Sequence, residues 1–274
     1  MVLYPINPHQ EPVQRSKVIS AWAAVLERQT LRADSYWLIA QPDHAALAGD
    51  LAVNFSSPDF PRLDDEVVRA VALHDAGWAE FDGGSECGSG TQVGHRPPPT
   101  PMRDGSGRPL SFLQVLPRDF VRAWENSIEC ASRGSPLGGL LVSGHFCRLA
   151  EHRMDSANDT CEDTDLIRSF LKAEKQRQGE LMGRQERAQK EINQLIDILQ
   201  FCDLLSLYLC CRARAEATFP QNIASSPVTV RREGEVCVLD PSPFAKGLSL
   251  GVAARRDPTS KTEANAVTLP LLIK

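Results

Sequence analysis

The chain has 274 residues, a hydrophobic content of 42% and a charged content of 24%, which are typical of a soluble globular protein with one sizeable core. Its net charge of −5 gives no support for a surface that binds nucleic acid or an anionic membrane. The composition and charge alone do not indicate a particular partner.

Eight cysteines are present, and none of them forms a Cys-x-x-Cys pair. This spacing argues against a zinc finger and against a thioredoxin-like redox motif. Several of the cysteines lie in apolar helical stretches, as buried free thiols do. The N-terminus shows no basic and then apolar signal sequence. We therefore expect reduced cysteines and a cytoplasmic location.

The first fifth of the chain is predicted to begin with an extended segment and to continue into helices. Residues 1–17 are polar and contain proline, and residues 18–28 have the pattern of a short helix. Residues 35–40 are apolar and fit either a short strand or the lead-in to a helix. Residues 43–53 form the next predicted helix, and His44 lies near its start, in line with the apolar face. A surface histidine in the first turn is the alternative for His44.

The segment 66–78 is an apolar, helix-like run that ends in the vicinal pair His74 and Asp75. On a helix, His74 shares a face with Val67 and Val71, and the valines predict that both polar side chains point inward. A buried carboxylate beside a buried imidazole is costly without a partner. A metal ion would satisfy both, whereas the alternative is an aspartate that caps a turn beside a core histidine.

Residues 80–108 are rich in glycine, proline and serine and predict a long loop, of the kind that is either mobile or lines a functional opening. Glu80 and Asp82 follow the His-Asp pair closely. They are candidates either for carboxylates that support the metal ligands or for surface charges.

Three further helices are predicted over residues 120–131, 137–153 and 165–211. His145 shares a face with Leu141 and Leu149 and is predicted to point inward. Polar residues interrupt the apolar second half of the last helix, which favours a buried helix over a membrane span.

Asp203 is the second carboxylate that is predicted to point inward. It lies on one stripe of the last helix with Ile196 and Leu199 and has apolar neighbours on both sides. Like Asp75, it is expected to lie near a cation, because a buried carboxylate is costly without a partner.

The C-terminal part changes character. Residues 228–231 and 235–239 alternate around Gly234 and predict a β-hairpin, and residues 248–254 fit a third strand. The sequence thus predicts a mainly α domain over residues 1–225, and a small β appendage with a tail over residues 226–274.

The order His44, then His74 and Asp75, then Asp203 resembles that of the HD superfamily of metal-dependent phosphohydrolases. Five short motifs extend this resemblance over about residues 35–254 and look like those of an uncharacterised HD-related family that is known only as a domain of unknown function. The motifs are Gln41–His44, His74–Trp78, Ser143–His145, Asp203–Tyr208 and Leu239–Phe244.

The resemblance implies an all-α, HD-like helical bundle whose ligands are His44, His74, Asp75 and Asp203. They would hold one or two divalent ions, for which the residue types suit Mn, Fe, Zn or Mg. His145 resembles the extra histidine of two-metal members. The implied reaction is hydrolysis of a phosphoester by metal-activated water, with Asp75 and His145 as the catalytic residues.

One departure from the superfamily pattern keeps other functions open. Trp78 stands where many of its phosphohydrolases have a lysine that could meet phosphate, and Arg148 and Arg153 are the candidate substitutes. A di-iron oxygenase that acts on a small organic substrate is one alternative. A non-catalytic helical protein with a vestigial metal site is another. In each enzymatic case we expect a small-molecule substrate and no nucleic-acid or membrane partner, and a homo-oligomer stays open.

Overall fold

The computed structural model describes residues 1–10, 17–82, 101–154, 160–257 and 267–274. Helices and strands occur along the whole of this part of the chain. The helices are α1 Ala21–Thr30, α2 Gln41–Val53, α3 Asp65–Leu73, α4 Ala79–Asp82, α5 Pro117–Gly134, α6 Pro136–Met154, α7 Cys161–Met182 and α8 Gln189–Cys210. The strands are β1 Val2–Pro8, β2 Ile19–Ser20, β3 Ala33–Ile39, β4 Ala217–Thr218, β5 Thr229–Glu233, β6 Val236–Asp240, β7 Leu248–Asp257 and β8 Val267–Ile273.

The prediction of a mainly α, HD-like bundle with a small C-terminal β appendage is wrong. Only about 52% of the described residues are helical, and the strands form one mixed, curled sheet in the order β1-β3-β7-β8-β6-β5-β4-β2. The error has a physical cause, because β1 and β3 are paired with each other and β3 with β7 through contacts between distant parts of the chain. Local periodicity does not reveal such pairing. The domain boundary at residue 225 stays a prediction.

Strand β1 replaces the extended entry that the sequence predicts. A side-chain amide on α1 holds it from the side: Gln29 donates from Nε2 to the carbonyl of Leu3 at 2.8 Å and accepts from the N–H of Leu3 at 3.0 Å. Leu3 thus donates and accepts one hydrogen bond each, as it would if paired with a residue on a neighbouring strand. This pair of hydrogen bonds anchors the N-terminal strand to the helical layer although the local sequence is not that of a regular amphipathic strand.

The C-terminal hairpin is confirmed. Strands β5 and β6 pair antiparallel, and Gly234 adopts a φ of 61° in the two-residue turn between them, a conformation that glycine reaches without steric cost. The predicted third strand is part of β7. Strand β8, which the sequence pattern does not predict, pairs antiparallel with β7 and parallel with β6.

Two predicted helices end earlier than expected. The run that carries His74 is helical only to Leu73, and a 3-10 turn follows at Ala76–Trp78. The helix predicted over residues 165–211 is two helices, α7 and α8, with a break at residues 183–188. The break lets α8 turn back into the core, where α2, α3 and α6 pack against it.

Helix α8 is the central element of the hydrophobic core, and Leu199, Phe201 and Tyr208 on it are completely buried. Within the described ranges, α8 is also the single helix that is long and apolar enough to cross a membrane by length and composition. About 67% of that apolar stretch is buried inside the fold, and the core helix of a soluble protein passes the same test.

The cysteine prediction is corrected at one position. Six cysteines are free, whereas Cys130 is disulfide-bonded, so the expectation that all eight are reduced is wrong for Cys130. Cys87 lies outside the described residues. The cytoplasmic location stays a prediction.

Gly77 gives a prediction about the packing of the His-Asp segment. A Cβ at Gly77 would lie 2.1 Å from the carbonyl oxygen of Ala123 and 2.5 Å from the backbone nitrogen of Ser127, both on α5. Backbone atoms of a packed helix cannot yield easily, so we expect Gly77→Ala to lower the free energy of unfolding by about 3 kcal/mol or more. Chemical denaturation measures this change.

Gly179 supplies the matched control for that experiment. It lies within α7, and a Cβ there would meet nothing within 4 Å. Because alanine is the better helix former, Gly179→Ala should raise the free energy of unfolding by about 0.5–1 kcal/mol. Equal effects of the two substitutions would contradict the tight packing of Gly77.

Candidate metal centre

Helices α2, α3, α6 and α8 meet around a buried group of imidazoles and carboxylates. All five predicted site residues are in it, although they are up to 159 positions apart in the sequence. Its members are His44 from α2, His74 at the end of α3, Asp75 from the turn that follows, His145 from α6 and Asp203 from α8. The structure thus brings the predicted residues together, while their role as metal ligands stays a prediction.

His44 is completely buried and is held at both ring nitrogens. The Ser206 hydroxyl donates to the backbone carbonyl of Asp203 at 2.7 Å, so its oxygen is left to accept the hydrogen bond that Nδ1 of His44 donates at 2.9 Å. The opposite nitrogen, Nε2, lies 2.8 Å from Oδ2 of Asp75. The serine therefore fixes the ring so that Nε2 faces the carboxylates.

His74 is completely buried and is oriented in the same way by its own helix. Its Nδ1 donates to the carbonyl of Val71 at 2.7 Å, which assigns the lone pair of the neutral ring to Nε2. This Nε2 lies 3.4 Å from Oδ1 of Asp203 and 3.8 Å from Oδ2 of Asp75, yet it makes no hydrogen bond. A buried nitrogen that faces two carboxylates without a hydrogen bond is suited to a cation between them.

His145 closes the other side of the group. Its Nε2 lies 3.8 Å from Oδ2 of Asp203, and its ring is edge-on to that of His74 with the centroids 5.5 Å apart. The rings of His44 and His74 are also edge-on, at 5.2 Å. His74 is thus the central ring, with one imidazole on each side.

The pKa shifts of His74 and Asp203 show that this group favours a positive charge among its carboxylates. Burial alone would lower the pKa of His74, but the carboxylates of Asp75 and Asp203 outweigh it and raise that pKa to about 9. Burial would raise the pKa of Asp203, but its contact with His74 lowers it to about 2. Burial lowers the pKa of His145 to about 4, against the opposing charge of Asp203. A proton on His74 therefore occupies the place that a cation would take.

The potential ligand atoms form two groups that share one residue. His44, His74 and Asp75 make up the first group, and His74, His145 and Asp203 the second, with the ligand atoms of each within 4.8 Å of one another. Ligands about 2.1 Å from a tetrahedral ion lie about 3.4 Å apart. The measured separations of 2.8, 3.4 and 3.8 Å at His44 and His74 are close to that spacing, so the residues present fit a divalent metal.

The two acidic residues after the His-Asp pair have partners of their own. Asp82 is buried and accepts from the backbone N–H of Gln41 at 3.2 Å, at the start of the helix that carries His44. It also pairs with the α-amino group of Met1 at 2.9 Å. Glu80 pairs with Arg122 at 2.7 Å. Asp82 thus affects the candidate centre only indirectly, by fixing the first turn of α2.

Two other residues that the sequence links to the substrate have structural contacts. Trp78 is buried, with its ring edge-on to Phe81. Arg148 forms an ion pair with Asp197 at 2.6 Å and donates to Gln200. These contacts bind Arg148 to the surface of α8 and do not direct it to a substrate.

Ser206 contacts the candidate centre, at Nδ1 of His44, and was not predicted from the sequence. It lies three positions after Asp203 in an otherwise apolar helix, so both side chains fall on the same face. A buried serine on the stripe of an inward aspartate was the available signal. It marks a side chain that orients a ligand without being one.

Comparison with known proteins assigns the chain to a family. The model of DUF3891, described as a protein of unknown function, matches residues 29–256. The chain belongs to the DUF3891 family. No curated protein and no solved structure matches the chain.

Membership of DUF3891 confirms the prediction of a domain of unknown function, and the proposed relationship to the HD superfamily stays a prediction. The matched segment of DUF3891 contains all five residues of the candidate centre.

Proposed function

We propose that this DUF3891 protein is a metal-dependent hydrolase that acts on a phosphoester. One observation carries the proposal: Nε2 of His74 is buried, faces the carboxylates of Asp75 and Asp203, and makes no hydrogen bond. A structural histidine would satisfy this nitrogen with a protein group. The choice of a phosphoester comes from the resemblance to the HD phosphohydrolases.

The residues that would hold the ion are His44, His74, Asp75 and Asp203. Their donor set of imidazole nitrogens and carboxylate oxygens suits Mn, Fe, Zn or Mg. When bound, the ion supplies a water of lowered pKa and a Lewis acid for a phosphoryl oxygen. Ser206 and the carbonyl of Val71 hold the two leading histidines in the tautomer that presents Nε2.

His145 and Asp75 are the residues to which we assign proton transfer and positioning. His145 presents Nε2 at 3.8 Å from Oδ2 of Asp203, a gap that a water molecule can bridge. There its neutral ring can accept a proton from the attacking water. Oδ2 of Asp75 lies 2.8 Å from Nε2 of His44 and 3.8 Å from Nε2 of His74. Its carboxylate can therefore position both the ligand imidazoles and the water.

The site is shielded from bulk water, as this chemistry requires. The three imidazoles are at most 2% exposed, and the side chains of Asp75 and Asp203 are 8% and 14% exposed. Asp203 is therefore the most accessible member, and a substrate would approach from its side. Low exposure strengthens each electrostatic interaction with the developing charge.

The test is hydrolysis of a phosphoester panel in the presence of Mn²⁺, Mg²⁺, Zn²⁺ or Fe²⁺. The panel contains p-nitrophenyl phosphate, bis(p-nitrophenyl) phosphate and the common nucleotides. We expect turnover that requires an added divalent ion, and a fall in kcat of about 100-fold or more for His145→Ala, because a general base contributes about 10² to 10⁴.

His152→Ala is the control for the activity assay, because His152 lies on the same helix as His145, two turns away, and is exposed. It should retain the activity of the unsubstituted protein. The absence of hydrolysis across the panel with every ion would contradict the proposal, as would equal effects of the two histidine substitutions.

A further inference from the structure

A cleft lies at the end of α8, away from the candidate metal centre. It has a volume of about 560 Å³, which is within the range of small-molecule sites. Strand β1, helix α1, the residues after α8 and the β5–β6 turn all contribute to its wall. In the part of the chain that the structure describes, the charged members of the wall are Arg28, Arg212, Arg214, Arg232 and Glu235.

The charge of this cleft is opposite to that of the chain. The described residues of its wall include four arginines and one glutamate, which sum to a charge of +3, whereas the whole chain carries −5. Glu235 is largely exposed and pairs with Arg212. Guanidinium groups that share a cleft repel one another, and an anion between them would offset that repulsion.

Backbone contacts hold two of the guanidinium groups in place. Arg28 is only 3% exposed and donates from Nε to the carbonyl of Cys211 at 3.1 Å. Arg232 donates from Nε to the carbonyl of Ala213 at 3.2 Å. Both acceptors belong to the chain that leaves α8, so the cations are fixed to one short segment. Fixed donors lose little freedom when a ligand binds.

Arg212 occupies a position that favours glycine. Helix α8 ends in a Schellman motif: the N–H of Ala213 bonds to the carbonyl of Tyr208 at 3.0 Å, and that of Arg212 to the carbonyl of Leu209 at 3.1 Å. Arg212 itself has a φ of 51°, at the site where glycine is usual because it avoids the Cβ penalty. The strained conformation directs the guanidinium over the ring of Tyr4, 5.4 Å from its centroid.

Other unusual backbone lies in the same cleft. Among the described residues, Asn7 and Arg212 are the non-glycine residues with positive φ, at 49° and 51°, and both line it. Backbone strain concentrates at ligand sites because the surrounding structure is built to maintain it.

We propose that this arginine cleft is a binding site for a small ligand that carries a phosphate group, separate from the metal centre. Guanidinium groups match phosphate oxygens through paired, charge-assisted hydrogen bonds. Asp203 and Arg212 are nine residues apart on and just beyond α8, which corresponds to about 14 Å along the helix axis. The ligand of the cleft therefore does not share the binding position of the ion.

Titration calorimetry of the full chain with inorganic pyrophosphate tests the proposal. We expect one saturable site that persists in His74→Ala, a variant that removes a candidate metal ligand but not the cleft. Citrate at the same ionic strength should bind at least tenfold more weakly. Equal binding of citrate would overturn the assignment to phosphate, and no saturable pyrophosphate binding would overturn the site.

Two variants locate the binding within the molecule. Arg212→Gly removes a guanidinium where the backbone prefers glycine, so it should weaken pyrophosphate binding at least tenfold while Tm stays within about 3 °C of the parent. Arg214→Gln should also weaken binding at least tenfold, and it decides the matter if Arg212→Gly does not fold. Arg231→Gln is the control, because Arg231 is exposed beside the cleft and pairs with Glu233. Similar losses for Arg231 and the cleft arginines would overturn the site.

Discussion

Replacing His74 by alanine should abolish tight binding of a divalent ion. His74 is the residue that both groups of candidate ligands share, and its Nε2 is the buried nitrogen that makes no hydrogen bond. Loss of an outer partner of a metal ligand typically costs 10- to 100-fold in affinity, so loss of this ligand should cost more than about 100-fold. Elemental analysis of the purified protein after dialysis, followed by titration with Zn²⁺ and Mn²⁺, measures the change.

Asp203→Asn is the second variant for this test, because it keeps the shape of the side chain and removes the charge. Asp203 lies within 3.4 to 4.0 Å of all three imidazoles, so the loss of affinity should be comparable to that of His74→Ala. His152→Ala, with its exposed histidine on α6, should keep the metal content of the parent protein. Unchanged metal content in both site variants would refute the metal centre.

His145→Ala should have a much smaller effect on the first ion. One imidazole nitrogen binds one ion, so His74 cannot serve both ligand groups at once. A first ion held by His44, His74, Asp75 and Asp203 leaves only His145 and a shared carboxylate for a second. We therefore expect one tightly bound ion per chain, which His145→Ala retains within about tenfold. Two equally tight ions in the unsubstituted protein would contradict this order.

The bound ion should also stabilise the fold, because its ligands come from three separate parts of the chain: α2, the end of α3 with the turn after it, and α8. At a free concentration 100 times its Kd, a ligand adds about 2.7 kcal/mol to the free energy of unfolding. For a chain of this size that corresponds to about 5 °C or more in Tm. Removal of the ion by EDTA should therefore lower Tm by this amount, and the difference should vanish in His74→Ala.

The site was predictable to a greater extent than the fold, for a physical reason. His44, His145 and Asp203 each lie on the apolar face of a helix, and helical periodicity shows locally which side chains point inward. A polar side chain that points inward needs a partner. The sequence therefore indicates that these residues lie close together, although it does not show how the chain folds to bring them there. Ser206 was missed because a hydroxyl in an apolar helix is usually satisfied by its own backbone.

The sheet was not predictable in the same way, because its pairings join distant segments. Strand β1 contains Pro5 and Pro8 and lacks strict alternation, and it becomes a strand through β3 and the side chain of Gln29. The break between α7 and α8 was missed because residues 183–188 contain good helix formers. Arg187 in this break forms ion pairs with Asp64 and Glu191, which are contacts that appear only in the folded chain.

Ser206→Ala should weaken metal binding although Ser206 is not itself a ligand. Its hydroxyl accepts from Nδ1 of His44 at 2.9 Å and donates to the backbone carbonyl of Asp203 at 2.7 Å. Without it, Nδ1 of a buried ring has no acceptor, and the tautomer that leaves the lone pair of Nε2 available to an ion loses its support. The expected loss of affinity is about 10- to 100-fold, with a fall in the free energy of unfolding of about 1–3 kcal/mol.

Ser132→Ala is the matched control for this substitution. The Ser132 hydroxyl donates to the carbonyl of Ile128 at 2.7 Å within α5, which is the same type of bond to the preceding turn, but it contacts no member of the metal centre. Its removal should leave the affinity for Zn²⁺ unchanged. Because the serine acts through the tautomer of His44, Ser206→Thr, which restores a hydroxyl, should recover part of the lost affinity, whereas a loss due only to repacking would be as large in the threonine variant.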